Sequence, residues 1–228
     1  PATLRDGESR WLGPSGLVRV VVYNTKVATA DALPDDVLAY SAPKYASHMG
    51  IAPTNASFQA FVSAMRITYG DARTKTWLMD MKNNGAKIFE SNRPIVEAVA
   101  AGEIDYGLVN HYYLSLVKEE QPDAPIANKF LKPGDPGALV NVAGVGILAS
   151  SKHAKDAQTF VDYLLSDEGQ RFYATDAEEN EYPLVAGLDP APGLPKLSTL
   201  VGKSLPLTRL AAEEKATLEM IDEVGFTV

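Results

Sequence analysis

The sequence predicts an α/β fold with a largely parallel or mixed sheet. Three observations carry that expectation. A strongly β-branched run at 17–23 and a short apolar run at 106–109 read as buried strands. Segments with apolar residues at helical spacing, such as 71–83 and 207–224, alternate with them. Capping and turn residues separate the two kinds of segment.

The elements follow in order. Residues 1–16 are polar and turn-rich and do not read as the start of a domain. Residues 17–23 (LVRVVVY) form a strand buried on both faces, ended by Asn24 and Thr25. Residues 31–41 read as a loop with a short helical turn, 42–48 as a connection and 49–52 as a short strand. Pro53-Thr54-Asn55-Ala56-Ser57-Phe58 opens a helix: Thr54, Asn55 and Ser57 are capping types, and Phe58, Phe61, Val62 and Met65 recur at helical spacing. A second helix covers 71–83, with Trp77, Leu78 and Met81 inward and Gly85 as its stop. After a short strand at 87–89, Ser91-Asn92-Arg93-Pro94 starts a third helix, with Pro94 suited to the first turn and Gly102 as the end. Strands are expected at 125–130, 138–142 and 145–148, with a turn at Asp135-Pro136-Gly137. Helices are expected at 156–165 and 167–175. Tyr182-Pro183-Leu184 then leads into a Pro-rich loop, and a helix at 207–224 closes the chain.

The stretch with most chemistry is Leu108-Val109-Asn110-His111-Tyr112-Tyr113-Leu114. It lies where the strand at 106–109 hands over to a helix, and in open α/β sheets the carboxyl end of a strand is where ligands bind. Two adjacent phenols there are unusual. A phenol has a pKa near 10. It is a poor ligand at neutral pH unless a strong cation displaces its proton. Ferric iron, which prefers anionic oxygen donors, is such a cation. The bland alternative is that Tyr112 and Tyr113 cap the first turn and pack on the sheet. The helix starts at Asn55-Ala56-Ser57 and at Asn92-Arg93 offer free backbone N–H groups and a partial positive charge suited to an anion. Any surface helix shares that property, so Asn92 also reads as a plain N-cap and Arg93 as a solvated charge.

Composition narrows the field. The chain has 228 residues, 46% hydrophobic and 22% charged, as in an ordinary globular protein. A net charge of −8 argues against nucleic acid and anionic membrane partners. The absence of cysteine excludes disulfides, thiolate metal sites and a cysteine nucleophile. His48, His111 and His153 show no metal-type spacing. No GxSxG, GxxxxGK[ST] or GxGxxG motif supports an α/β enzyme. No signal peptide is evident, so a cytoplasmic, mature or partial chain is expected.

Taken together, several segments resemble the ferric-ion-binding proteins that deliver iron to bacterial ABC transporters. They are residues 19–25 (RVVVYNT), 53–58 (PTNASF), Ile95 to Val99 with Gly102-Glu103-Ile104-Asp105, Asn110-His111-Tyr112-Tyr113, residues 135–140 (DPGALV), 160–164 with 166–170, and Glu181-Tyr182-Pro183-Leu184. Their order and spacing, over nearly the whole chain, carry the resemblance.

The resemblance implies a two-lobed periplasmic-binding-protein fold of type II, with lobe 1 incomplete. Residues 1–20 and 141–200 would form the remainder of lobe 1, and 21–140 with 201–228 lobe 2. Tyr112 and Tyr113 would bind Fe3+ as phenolates. A carbonate, phosphate or similar synergistic anion would rest on Asn55, Ala56, Ser57, Asn92 and Asn110, with Arg93 helping to hold it. None of the three histidines matches the family's histidine ligand. The implied partner is an ABC transporter permease, and the implied location is periplasmic, or extracellular with a lipid anchor. An uncovered apolar face is expected around 145–148 and 160–164, and with it self-association or a complementing N-terminal fragment. The other readings are the same fold binding another small anionic solute, and an anion-sensing regulatory domain.

Overall fold

The computed structural model describes residues 4–8, 10–176, 180–201 and 205–226. The chain is built on one long strand, β1 (Leu12–Asn24). Its second half pairs antiparallel with β4 (Tyr106–Asn110) and β5 (Ile126–Lys129). β4 in turn pairs in parallel with β2 (Met49–Ile51), and β2 with β3 (Lys87–Ile88), giving the order β3-β2-β4-β1-β5. The first half of β1 pairs antiparallel with β6 (Val140–Val145) and β7 (Tyr182–Pro183). Ladder partners change between Val18, opposite Val140, and Arg19, opposite Asn110.

The alternation along β1 explains why its sequence is apolar at successive positions. Val21 and Tyr23 face a core with Phe58, Phe61 and Met65 of α2 (Ala56–Tyr69), Trp77 and Leu78 of α3 (Asp71–Asn83) and Ile221 of α9 (Leu207–Val224). Val20 and Val22 face a second core with Ile95, Val96 and Val99 of α4 (Asn92–Ala101) and Val117 of α5 (Tyr113–Glu120). Helices therefore cover both faces of this sheet, which is what a strand with no polar face requires. Close helix packing is enforced at Gly107 in β4, where a Cβ would stand 2.2 Å from Ile95 Cγ2. Gly102 ends α4 in the left-handed region at φ 77°, which favours a residue without a Cβ.

Most predicted elements are present, and three boundaries are corrected. The first strand begins at Leu12, because partners in β6 and β7 satisfy a backbone that looked turn-like on composition alone. The two strands expected at 138–142 and 145–148 are a single strand, Val140–Val145, preceded by a 3-10 turn at Pro136–Ala138 that Asp135 caps by accepting from the Gly137 N–H. The helix expected at 167–175 is α7 (Asp167–Arg171) followed by a π-helical turn, Phe172–Asp176. Short helical turns at Pro43–Ala46 (α1) and Leu197–Leu200 (α8) lie in stretches read as connections.

After β6 comes the amphipathic helix α6 (Ala154–Leu164), of which only Val161 is buried. Phe160 and Tyr163 are 59% and 46% exposed, with Leu148 at 76% and Phe172 at 53%. Within the stretches expected to be open, Leu148, Phe160 and Tyr163 are exposed, whereas Val161 is buried.

A polar pin joins α2 to α9. Ser63 Oγ and Thr217 Oγ1 are 2.8 Å apart, and Arg66 Nη1 donates to the same hydroxyl at 3.1 Å, with Thr217 fully buried. Replacing Thr217 by valine keeps the shape but leaves both partners short of a hydrogen bond. The expected loss is about 1–3 kcal/mol in urea unfolding. An unchanged midpoint would show that Ser63 and Arg66 find other partners.

Candidate functional site

Three helices begin at the carboxyl ends of β2, β3 and β4, which run parallel to one another. Their first turns therefore converge at one end of the sheet, where the crevice of an α/β sheet forms. Asn55 caps α2, accepting from Ser57 N at 3.0 Å and Ser57 Oγ at 2.6 Å. Asn92 is the first residue of α4, behind an N-cap at Ser91, so it is not the cap itself. Tyr112 is the N-cap of α5 and Tyr113 its first residue.

At the centre of these starts stands Arg19, 1% exposed. It shares the α2-facing side of β1 with Val21 and Tyr23, and its guanidinium carbon lies 5.8 Å from the Phe61 ring centre. Nη1 donates to Ser57 Oγ at 3.0 Å, Asn92 Oδ1 at 3.1 Å and Asn110 Oδ1 at 3.2 Å, and Nη2 donates to the Leu108 carbonyl at 2.8 Å. The Asn110 contact follows from strand register, since Arg19 and Asn110 are ladder partners. Asn92 Nδ2 closes the network on Asn55 Oδ1 at 3.2 Å and Ser57 Oγ at 3.3 Å. Burial pushes the Arg19 pKa down to about 9, which leaves it a cation at neutral pH, and Tyr112 and Tyr113 act in the opposite direction. Its Nε is buried with no hydrogen-bond partner. Its hydrogen-bond partners are neutral groups, so the network places no anion directly on this positive charge.

The two phenols stack beside it, ring centres 4.4 Å apart and planes at 30°. Burial raises the Tyr112 pKa above its usual value. The Tyr113 hydroxyl and Glu181 add to that rise, and Asn110 opposes it by hydrogen bonding. Tyr112 is thus a neutral phenol until a strong cation takes the proton's place. Among the described residues no group of three or more His, Cys, Asp or Glu could hold a metal ion.

Of the residues singled out from sequence, Asn55, Ser57, Asn92 and Asn110 meet in one network. Ala56 sits at the exposed first position of α2, where the helix supplies no acceptor for its N–H. Arg93 is not part of it: its Nε donates to Glu97 at 2.8 Å and its Nη2 to Glu120 at 2.7 and 2.6 Å, bracing α4 against α5. His111 is buried and turned into the protein, with Nδ1 accepting from Val18 N–H at 3.2 Å and Nε2 3.2 Å from the Asn180 carbonyl. Burial holds its pKa near 4, so the ring is neutral. The residue missed was Arg19. Its signal was a lone charge inside an apolar run already read as buried on both faces.

Comparison with known proteins identifies the family. Residues 1–197 match the model of a family described as bacterial extracellular solute-binding protein. The chain is 32% identical over 224 residues to the Fe(3+)-binding periplasmic protein of Serratia marcescens, covering 97% of this chain and 65% of that one. It is 34% identical over 218 residues to the major ferric iron-binding protein of Neisseria meningitidis serogroup B, covering 95% and 65%. It thus spans about two thirds of the length of these relatives. Iron-bound HitA from Pseudomonas aeruginosa superposes with a TM-score of 0.90 at 31% identity, over 99% of this chain and 72% of that one. A Trichodesmium protein in complex with iron and citrate superposes at 0.84 with 26% identity, over 100% and 73%. These neighbours are two-lobed periplasmic binding proteins, and the family is non-enzymatic. The chain belongs to the bacterial extracellular solute-binding proteins.

Proposed function

We propose that this chain carries the ferric site of an extracytoplasmic iron-binding protein. Tyr112 and Tyr113 bind Fe3+ as phenolates, and a small anion such as carbonate, phosphate or citrate shares the ion. The anion sits at the first turns of α2 and α4, on Asn55, Ala56, Ser57, Asn92 and Asn110, with Arg19 as its counter-charge in place of Arg93. The observation that carries this reading is the buried Arg19 cation, held by neutral groups beside two stacked phenols. A hard trivalent ion with anionic oxygens would offset both the Arg19 charge and the cost of ionising the phenols. Relatives named for ferric iron support the choice of cargo. The same cationic pocket would serve another small anionic solute with the tyrosines as walls. Lack of ferric binding together with tight anion binding would select that second reading.

In this proposal residues 1–20 and 141–200 belong to one lobe, and 21–140 with 201–228 to the other. Delivery is to an ABC transporter permease, from a protein that is periplasmic or held outside the cell by a lipid anchor. The exposed apolar side chains Leu148, Phe160, Tyr163 and Phe172 are covered in solution by a second copy of the chain.

Four outcomes follow. Ferric titration with carbonate or citrate should give a visible tyrosinate charge-transfer band at one equivalent. Tyr112→Phe and Tyr113→Phe should each lose tight binding, and retained affinity in both would sink the assignment. Arg19→Met should fold with a lowered melting temperature, since Asn92 Oδ1, Asn110 Oδ1 and the Leu108 carbonyl lose a buried donor. It should weaken binding about tenfold or more and abolish the dependence on added anion; unaltered anion dependence would remove Arg19 from the site. Sedimentation of the chain should show association rising with concentration, and a clean monomer at high concentration would count against the covered face.

A further inference from the structure

We propose that His111 is a positioning residue for the phenol pair, fixing Tyr112 and Tyr113 to the point where β1 passes from one set of partners to the other. Its effect on cargo rests on the ferric reading above, whereas the placement itself is a property of the metal-free protein.

The β1–β4 ladder ends at the pair Arg19 and Asn110. One step further, His111 N–H still donates to the Val18 carbonyl at 2.9 Å, as a strand residue would. The chain then turns into Tyr112, and the His111 carbonyl is taken by Asn128 Nδ2 at 2.8 Å. A regular ladder would need a backbone acceptor for Val18 N–H. The imidazole Nδ1 supplies it at 3.2 Å, standing in for a strand carbonyl. That bond assigns the proton to Nε2, which donates to the Asn180 carbonyl at 3.2 Å. Asn180 lies just before β7 and is the one non-glycine among the described residues with a positive φ, 51°. The ring itself packs between Tyr182, 4.9 Å away, and the edge of Tyr112 at 5.9 Å.

Both ring nitrogens and both backbone groups of His111 are therefore engaged, with residues of β1, of β5 and of the approach to β7. The next residue along the chain is Tyr112. Movement of the β7 approach against β1 therefore reaches the phenols through this side chain. Here loss of the ring leaves Val18 N–H and Asn180 O unpaired at the same time.

The test uses fluorotyrosine-labelled chain and 19F NMR without metal, with the Tyr112 and Tyr113 resonances assigned from their Phe variants. His111→Leu should move both resonances. His111→Asn, whose side-chain oxygen can meet Val18 N–H, should return them toward the original positions, and His111→Gln should not. Leu210→Ala, in a separate cluster, serves as a control for lost stability and should leave them in place. With iron and carbonate, His111→Leu should lower ferric affinity roughly 10- to 100-fold, the usual cost of losing a residue that orients a ligand. It should also shift the charge-transfer maximum, and Asn should recover most of both.

Unmoved resonances in His111→Leu, or equal movement in Leu210→Ala, would overturn the proposal. If His111→Leu does not fold, the Asn and Gln variants decide, because equal behaviour of the two contradicts the Val18 bond. If no ferric band forms in the parent chain while the resonances respond as expected, the ferric reading fails and the placement of the phenols stands.

Discussion

A guanidinium buried among neutral acceptors is an expensive thing to fold around. Arg19 is held by a serine, two asparagine oxygens and a main-chain carbonyl, and those four groups must be delivered by three different elements. Ser57 comes from the first turn of α2, Asn92 from that of α4, and Asn110 and Leu108 from β4. The packing that brings them there is apolar and largely independent of the site: Gly107 lets α4 approach the sheet, and Phe58 and Phe61 seat α2 on it. The cores thus set the positions, and the arginine sets the sign of the charge that those positions receive. Without a counter-ion the arrangement is incomplete in electrostatic terms, even though nearly every hydrogen bond is made.

Strand direction governs where this happens. Because β2, β3 and β4 run the same way, the helices that follow them start at the same end. Three sets of first-turn N–H groups, the Asn55 cap and the phenol pair come together there without any long loop. β1 runs antiparallel to β4, so its Arg19 enters the crevice from the opposite direction, at the step where β1 exchanges partners.

Much of this was legible in the sequence, for reasons that differ between residues. The strand at 17–23 and the helices at 71–83 and 207–224 declare themselves by periodicity, and the structure keeps their cores. The helix starts were found because capping types stand at the right offset from apolar stripes. What could not be read was direction in space. Arg93 and Arg19 are both charged residues near site motifs, and spacing along the chain favoured Arg93 because it adjoins Asn92. Helix geometry turns Arg93 toward Glu97 one turn on, whereas strand register turns Arg19 toward Asn110 across the ladder. The extension of β1 back to Leu12 was hidden for a related reason. Residues 12–16 have little β character of their own, and their strand state is imposed by partners more than a hundred residues away in sequence.

That last feature has a cost during synthesis. Nearly every ladder partner of β1 emerges late: Tyr106 to Asn110 first, then β5 and β6, and Tyr182 and Pro183 last of all. At ribosomal rates the apolar strand waits on the order of ten to thirty seconds before its final partner exists. During that time it is an unpaired, β-branched edge, the kind of segment that aggregates or recruits a foreign strand. So high a contact order also makes spontaneous refolding slow once the chain is complete. The arginine in the middle of the run is then useful before any site has formed. A single uncompensated charge on an exposed apolar strand discourages wrong pairing, so Arg19 guards the nascent strand that it later crowns.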